Sequence, residues 1–241
     1  LVKRLFLIIT VAAIVLSLTG CLYPEERRAE NRIPYKDQIN MVQNAIDQYI
    51  QNEGGLLPIK TKESSTPIFQ KYPVDFNKLI PRYLPEPPGS AYESGGIFQY
   101  VLTYVETDPT VKLIDLTLVE TIRDINMRIH FYRERHGYPP YKEPVDQESG
   151  YFTLDYQKLG YEQVPFVKSP YSGKNLSLFI DTNGEIFVDY RPDLYEALNT
   201  FKHDYKHGDD IRYLLVDNYD FVPVFSVPYT VKNNDPIFLT E

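Results

Sequence analysis

Two imidazoles stand four residues apart in His203-Asp204-Tyr205-Lys206-His207. On a helix that spacing sets both rings on one face, an arrangement that grips a metal ion. A zinc peptidase places Glu directly after its first His, and here the shorter Asp204 stands there. With Lys202, Lys206 and a following Gly208, the same residues read as the cationic last turn of a helix, which favourably opposes the dipole. The second reading is preferred, and no metal, cofactor or catalytic residue is assigned. Asp181-Thr182-Asn183-Gly184 echoes a calcium loop, but such a loop needs Gly sixth and Glu twelfth. Counting from Asp181 gives Ile186 and Pro192. The Asn-Gly pair instead suits the positive φ angles of a type I′ hairpin turn. No Gly-x-Ser-x-Gly elbow, phosphate loop or dinucleotide fingerprint is present. Carboxylate pairs of the kind used in glycoside hydrolysis leave no linear mark, because their pairing is spatial.

The remaining reactive side chain is Cys21, the only cysteine. It excludes an intramolecular disulfide and a thiolate zinc site. Its surroundings give it another use. Lys3 and Arg4 precede an uncharged apolar run, Leu5 to Leu18, and small residues Thr19 and Gly20 then lead to Cys21. That is the layout of a cleaved export signal, and the run is shorter than the ~20 residues a comfortable membrane span needs. Leu18-Thr19-Gly20-Cys21 resembles the bacterial lipobox, which implies cleavage before Cys21 and lipid on its thiol. Two or three acyl chains hold a protein stably to a bilayer. The expectation is a chain on the extracytoplasmic face of the cell membrane, with residues 1–20 removed and 21–32 serving as a polar tether.

The net charge is −8, and removing Lys3 and Arg4 brings it to about −10. Nucleic-acid-binding proteins carry a basic face, so nucleic acid is not expected as a partner. The 221 residues after the signal suffice for one large domain or two small ones. With no disulfide available, stability must come from a packed core, and Tyr, Phe, Ile, Leu and Val are plentiful enough to build it.

The elements follow from periodicity. Ile39, Val42, Ile46, Tyr49 and Ile50 predict a helix over 37–52, stopped by Gly54-Gly55 and Pro58. Asp75–Leu79 reads as a short helical turn or strand. Residues 97–105 read as a strand with Phe98, Tyr100, Leu102 and Tyr104 on one face, and Val111–Ile114 as its partner beyond the Thr107-Asp108-Pro109 turn. Thr117-Leu118-Val119-Glu120 has the form of a capping box. It opens a helix striped by Val119, Ile122, Ile125, Ile129 and Tyr132 and ended by Gly137. Leu176–Asp189 is a hairpin about Asn183-Gly184. Asp193-Leu194-Tyr195-Glu196 reads as a second capping box, for a helix reaching about His207. Tyr213–Val216 and Phe221–Val227 read as short β-like runs, in which Pro223 and Pro228 favour edge strands or irregular extended chain.

An internal repeat emerges at an offset of about 80 residues. Tyr49 to Pro58 parallels Phe131 to Pro139. Tyr72-Pro73-Val74-Asp75-Phe76-Asn77-Lys78-Leu79 parallels Phe152-Thr153-Leu154-Asp155-Tyr156-Gln157-Lys158-Leu159. Ser90-Ala91-Tyr92-Glu93-Ser94-Gly95 parallels Ser169-Pro170-Tyr171-Ser172-Gly173. The predicted class is therefore α+β. Two tandem helix-plus-antiparallel-sheet modules, 33–115 and 116–191, precede a C-terminal helix and short strands over 192–241. Each unit resembles the soluble head of pilins and type II secretion pseudopilins, where a Tyr-x-x-x-x-Gly-x-x-Pro-like helix end precedes a loop and sheet. The lipobox departs from the prepilin leader, so filament assembly through an N-terminal helix is not implied. The whole chain resembles the uncharacterised YphF-like lipoproteins of Bacillus, which implies the address and no activity.

Three functions stay open at this level. The first is a non-catalytic interaction or structural component of the cell envelope, engaging another protein or a wall polymer. The second is a solute-binding receptor, although the repeated strand–helix alternation of such lobes is absent. The third is an envelope hydrolase whose residues only the fold assembles. The many Tyr residues, as in Tyr138-Pro139-Pro140-Tyr141, serve either core packing or an aromatic binding surface.

Overall fold

A computed structural model describes residues 34–240. The export signal, Cys21 and the tether lie outside the described residues. The first element is α1 (Tyr35–Asn52), whose Ile39, Val42, Ala45 and Ile46 are buried along one stripe. Glu53 closes it, and Gly54 and Gly55 follow at φ 66° and 87°, a region open to glycine without strain. The chain returns through Ile59, a 3-10 turn at Ile68–Gln70, and α2 (Phe76–Leu79), capped by the Asp75 carboxylate on Asn77 N–H. The hairpin β1 (Phe98–Thr103) and β2 (Thr110–Asp115) completes this half. Gln43 on α1 fixes the start of β2: its Oε1 accepts from Val111 N–H at 2.8 Å and its Nε2 donates to Pro109 C=O at 2.9 Å.

The second half opens with α3 (Leu116–His136), which buries Leu118, Ile122, Ile125 and Ile129 and ends at Gly137, φ 84°. A four-stranded antiparallel sheet follows in the order β3 (Tyr141–Pro144), β4 (Phe152–Leu154), β7 (Leu178–Ile180), β8 (Ile186–Val188). A small hairpin, β5 (Val167–Lys168) with β6 (Asn175–Leu176), is inserted before β7. The C-terminal part is α4 (Arg191–Thr200), α5 (Arg212–Asn218) and the hairpin β9 (Tyr229–Lys232) with β10 (Asp235–Phe238). The protein is α+β throughout.

The two halves share one strand order. In the first, Ile59 bridges Val74, Pro73 bridges Val101, and β1 pairs with β2, all antiparallel. That is the order of β3, β4, β7 and β8. Asp75 N–H donates to Pro58 C=O at 2.7 Å, and its counterpart Asp155 N–H donates to Pro140 C=O at 2.8 Å. The halves differ after Ser90 and Ser169. Ala91 makes a parallel bridge to Phe98, whereas the second half builds the β5–β6 hairpin.

Packing joins the halves instead of separating them. Tyr100, Leu102, Val111 and Leu113 pack in a core with α1, while Val101 and Ile114 pack in the larger core with α3 and the second sheet. Alternate residues of a strand face opposite ways, so both faces of the β1–β2 hairpin are buried. The C-terminal chain then ties the two sheets together. Leu113 N–H donates to Asp220 C=O at 2.9 Å and Leu113 C=O accepts from Val222 N–H at 3.0 Å; a few residues on, Phe225 C=O accepts from Val188 N–H at 2.8 Å.

Several local expectations are corrected. The cap of α3 is Asp115, whose carboxylate accepts from Thr117 N–H at 2.9 Å and Thr117 Oγ1–H at 2.6 Å, so the helix starts before the Thr117–Glu120 box. Asp193 is not a cap: α4 begins at Arg191, and Asp193 is buried in its first turn, accepting from Ser169 Oγ at 2.9 Å and Ser172 Oγ at 2.6 Å. The helix ends at Thr200, not His207. Tyr213–Val216 is helical in α5, because Leu214, Leu215 and Val216 are buried against surrounding core and tertiary packing overrides β-branched propensity there. The Asn183-Gly184 hairpin exists, but only Gly184 of the pair has positive φ. Asp181 organises that turn, its Oδ1 accepting from Asn183 N–H at 2.9 Å and Glu185 N–H at 2.8 Å. Two successive positive φ angles, as in type I′, occur instead at Asn233-Asn234 between β9 and β10. Tyr104 lies beyond β1 and does not extend its face.

Candidate functional site

The residues first suspected of chemistry are dispersed. With α4 ended at Thr200, His203 and His207 share no helix face. His203 Nε2 lies 3.2 Å from Leu198 C=O, and its buried Nδ1 has no partner. His207 is exposed, on a polar cleft with Asp146 and Lys232. Among the described residues no group of three or more His, Cys, Asp or Glu is placed to hold a metal ion. Asp181 is used up by its own turn, its second oxygen accepting from Asn183 Nδ2 at 3.0 Å. The tyrosines divide: Tyr138 is exposed, Tyr141 hydrogen-bonds the Asp181 and Thr182 carbonyls, and Tyr151 packs on Phe179 and Phe238.

The concave surface that the fold does assemble is centred on Phe69, at the junction of the two halves and the C-terminal part. Pro67, at φ −52°, starts the 3-10 turn, which places successive side chains on different sides. Phe69 goes inward, 4% exposed, into the core of the other half, while Ile68 stays 43% exposed. Helix α5 closes over Phe69. The Arg212 guanidinium sits 5.0 Å from its ring centroid and the Tyr213 ring meets it edge-on at 5.4 Å. Arg212 is itself held by Asp210 at 2.6 Å and by Ser226 C=O at 3.2 Å.

A cleft opens on each side of this turn. One, of about 320 Å³, is walled by Phe69, Ile186, Phe187, Phe225 and Arg212. The other, of about 330 Å³, is walled by Ile68, Tyr72, Leu102, Tyr104 and Tyr213. Each contains a strained aromatic residue: Phe225 at φ 53° and Tyr104 at φ 52°. Bulky residues avoid positive φ, and holding one there costs about 1–3 kcal/mol, a cost found most often at functional positions. Surroundings fix both. Phe225 is anchored by Val188 N–H, and Tyr104 donates its hydroxyl hydrogen to Asp217, four residues beyond Tyr213 on the same face of α5. Burial, followed by that hydrogen bond and the Asp217 charge, pushes the Tyr104 hydroxyl far above its ordinary pKa, so it remains a donor.

Chemically these clefts offer apolar and aromatic contact area. Arg212, Ser226 and the Tyr104 hydroxyl on their walls are engaged within the protein, and no hydrogen-bonded pair of acid and base is found among the described wall residues. Sequence reasoning missed the site because Ile68, Phe69, Arg212 and Phe225 come from three distant stretches. The one local signal was an apolar pair, Ile68-Phe69, directly after the polar 61–67 loop.

Residues 35–115 match the family model described as the YphF family N-terminal domain. The chain is thus similar to YphF-family proteins over α1 through β2, about a third of its length. No curated protein and no solved structure matches the chain. No helix among the described residues is long and apolar enough to cross a membrane.

Proposed function

We propose that this protein is a lipid-anchored component of the extracytoplasmic membrane face that acts by docking a partner rather than by catalysis. The anchor is lipid on Cys21, supported by the apolar run and the Leu18-Thr19-Gly20-Cys21 motif. The observation that carries the docking role is the pair of aromatic clefts astride Ile68 and Phe69, each with a strained wall residue. Ligand sites favour junctions between structural units. A solute receptor closes one deep cleft about a hinge, and here the shared β1–β2 hairpin joins the cores while exposed Ile68 divides the space in two. The likeness to pilin heads belongs to this proposal as a likeness of the helix-plus-sheet unit alone. The partner is an envelope protein or a wall polymer.

Two measurements in the protein's own cells test this. Cys21→Ser should end incorporation of labelled fatty acid; continued labelling sinks the anchor. A photo-crosslinking residue at Ile68 should give a discrete adduct, while the same residue at exposed Tyr92 gives none. A folded, exported protein with no adduct at Ile68 sinks the docking role.

A further inference from the structure

The Phe225 cleft contains a break in β-sheet pairing. β8 is the outer strand of its sheet. Asp181 N–H donates to Glu185 C=O, and Asp189 N–H donates to Ser177 C=O. These fix 177 with 189, 179 with 187 and 181 with 185 as hydrogen-bonded pairs, since such pairs alternate along an antiparallel ladder. Ile186 and Val188 therefore turn their N–H and C=O groups away from β7. Those of Val188 are met by Phe225 C=O at 2.8 Å and by the Tyr229 hydroxyl at 3.1 Å. Those of Ile186 bond to nothing among the described residues; Ile186 is 3% exposed, and it lines the cleft.

The cause is local. The C-terminal chain meets β8 through a single backbone bond, at Phe225, which lies in a tight turn over 224–225 with left-handed φ, so no second bond reaches Ile186. An unpaired strand edge is a template for another extended chain, and strand addition uses main-chain bonds for affinity and neighbouring pockets for side-chain choice. We propose that β8 accepts an extended peptide segment of another protein, which pairs its backbone with Ile186 and sets apolar side chains against Phe69 and Phe225. This rests on the docking reading above and names its partner as an unfolded or strand-forming peptide with apolar residues. The open edge is one residue pair long, so affinity must come jointly from backbone and side chains.

The full chain, purified in detergent, is used to select binders from a displayed heptapeptide library. A selected peptide is then remade with single N-methyl groups, each removing one backbone donor. We expect N-methylation at one or two positions to weaken binding at least tenfold, bound peptide to slow hydrogen exchange of the Ile186 amide at least tenfold, and Ile68→Asp to abolish binding. If every N-methylated peptide binds equally and Ile186 stays unprotected while Ile68→Asp still abolishes binding, strand pairing is overturned and cleft docking survives. If no peptide is sensitive to Ile68→Asp, both fail. A concentration-dependent dimer that protects Ile186 without peptide replaces the partner by a second copy and overturns the proposal.

Discussion

The last strands of the two repeated sheets, β2 and β8, hold corresponding places and are finished differently. Both are covered by one stretch of the C-terminal chain. On β2 the cover is complete at Leu113, whose N–H and C=O both bond to the 220–222 segment. On β8 it stops at Val188, because the chain turns over Val224 and Phe225. The hairpin carrying β2 packs into both cores and borders one cleft at the end of β1, whereas β8 borders the other cleft itself. One strand order thus yields a fully paired hinge-pin in one half and a strand with an unpaired backbone position, Ile186, in the other. A repeat conserves local turns and pairings; the cover added afterwards decides which copy remains available to a partner.

The comparison breaks most visibly if the hairpin does not couple the cores. Ile114 is 2% exposed and belongs to the α3 core despite its place in the first half. Ile114→Ala should cost about 2–5 kcal/mol. Hydrogen exchange should rise in α3 and β8 as well as in 35–115; a rise confined to 35–115 would mean that the halves are independent. Phe69→Ala should cost about 3–5 kcal/mol in chemical denaturation, against less than about 0.5 for Ile68→Ala at the exposed position beside it. Equal effects would remove Phe69 from its place as the joint.

A smaller effect tests where α3 begins. Asp115→Ala should cost about 1 kcal/mol, the usual loss for a cap, while Glu120→Ala should stay within about 0.5 kcal/mol. The reverse ranking in thermal melts would reinstate the box at Thr117.

The smallest concerns Asp193. Burial raises its pKa, and the Ser172 and Ser169 hydroxyls offset this only in part; its second oxygen is buried without a partner. A carboxyl with a raised folded pKa favours the native state most below its unfolded value near 3.8, and that contribution is lost as pH rises through the folded pKa. Asp193→Asn should therefore be at least as stable as wild type at pH 7, within about 1 kcal/mol, with the difference shrinking toward pH 3.5. Melting curves that diverge toward acid instead would show that the charged form is the stabilising one.

Much was legible in the chain itself. The stripe Ile39–Val42–Ile46 gave α1, the Gly-Pro stops gave its return, and the apolar alternation around Thr107-Asp108-Pro109 gave the β1–β2 hairpin. All are interactions among near neighbours, and periodicity reports those directly. The class α+β followed from them, as did the parallel between Asp75–Leu79 and Asp155–Leu159.

What failed in the reading depended on distant contacts. Tyr213–Val216 has strand-like residues and became helix, because its apolar residues lie within the second core. Asp193 has the type and spacing of a cap and became a buried anchor for the Ser169–Ser172 turn. His203 and His207 lost their shared face because the helix stopped at Thr200. The clefts joined Phe69 to Arg212 and Phe225 across some 140 residues or more of chain. Composition and spacing determined the α+β class and the helix and hairpin of residues 35–115, and they set the expectation of an anchor at Cys21, since each is written in contiguous residues. Tertiary structure alone decided which strand edge was covered and which stayed open, because a ladder's free N–H and C=O groups are fixed by what packs beside it, not by the residues that carry them.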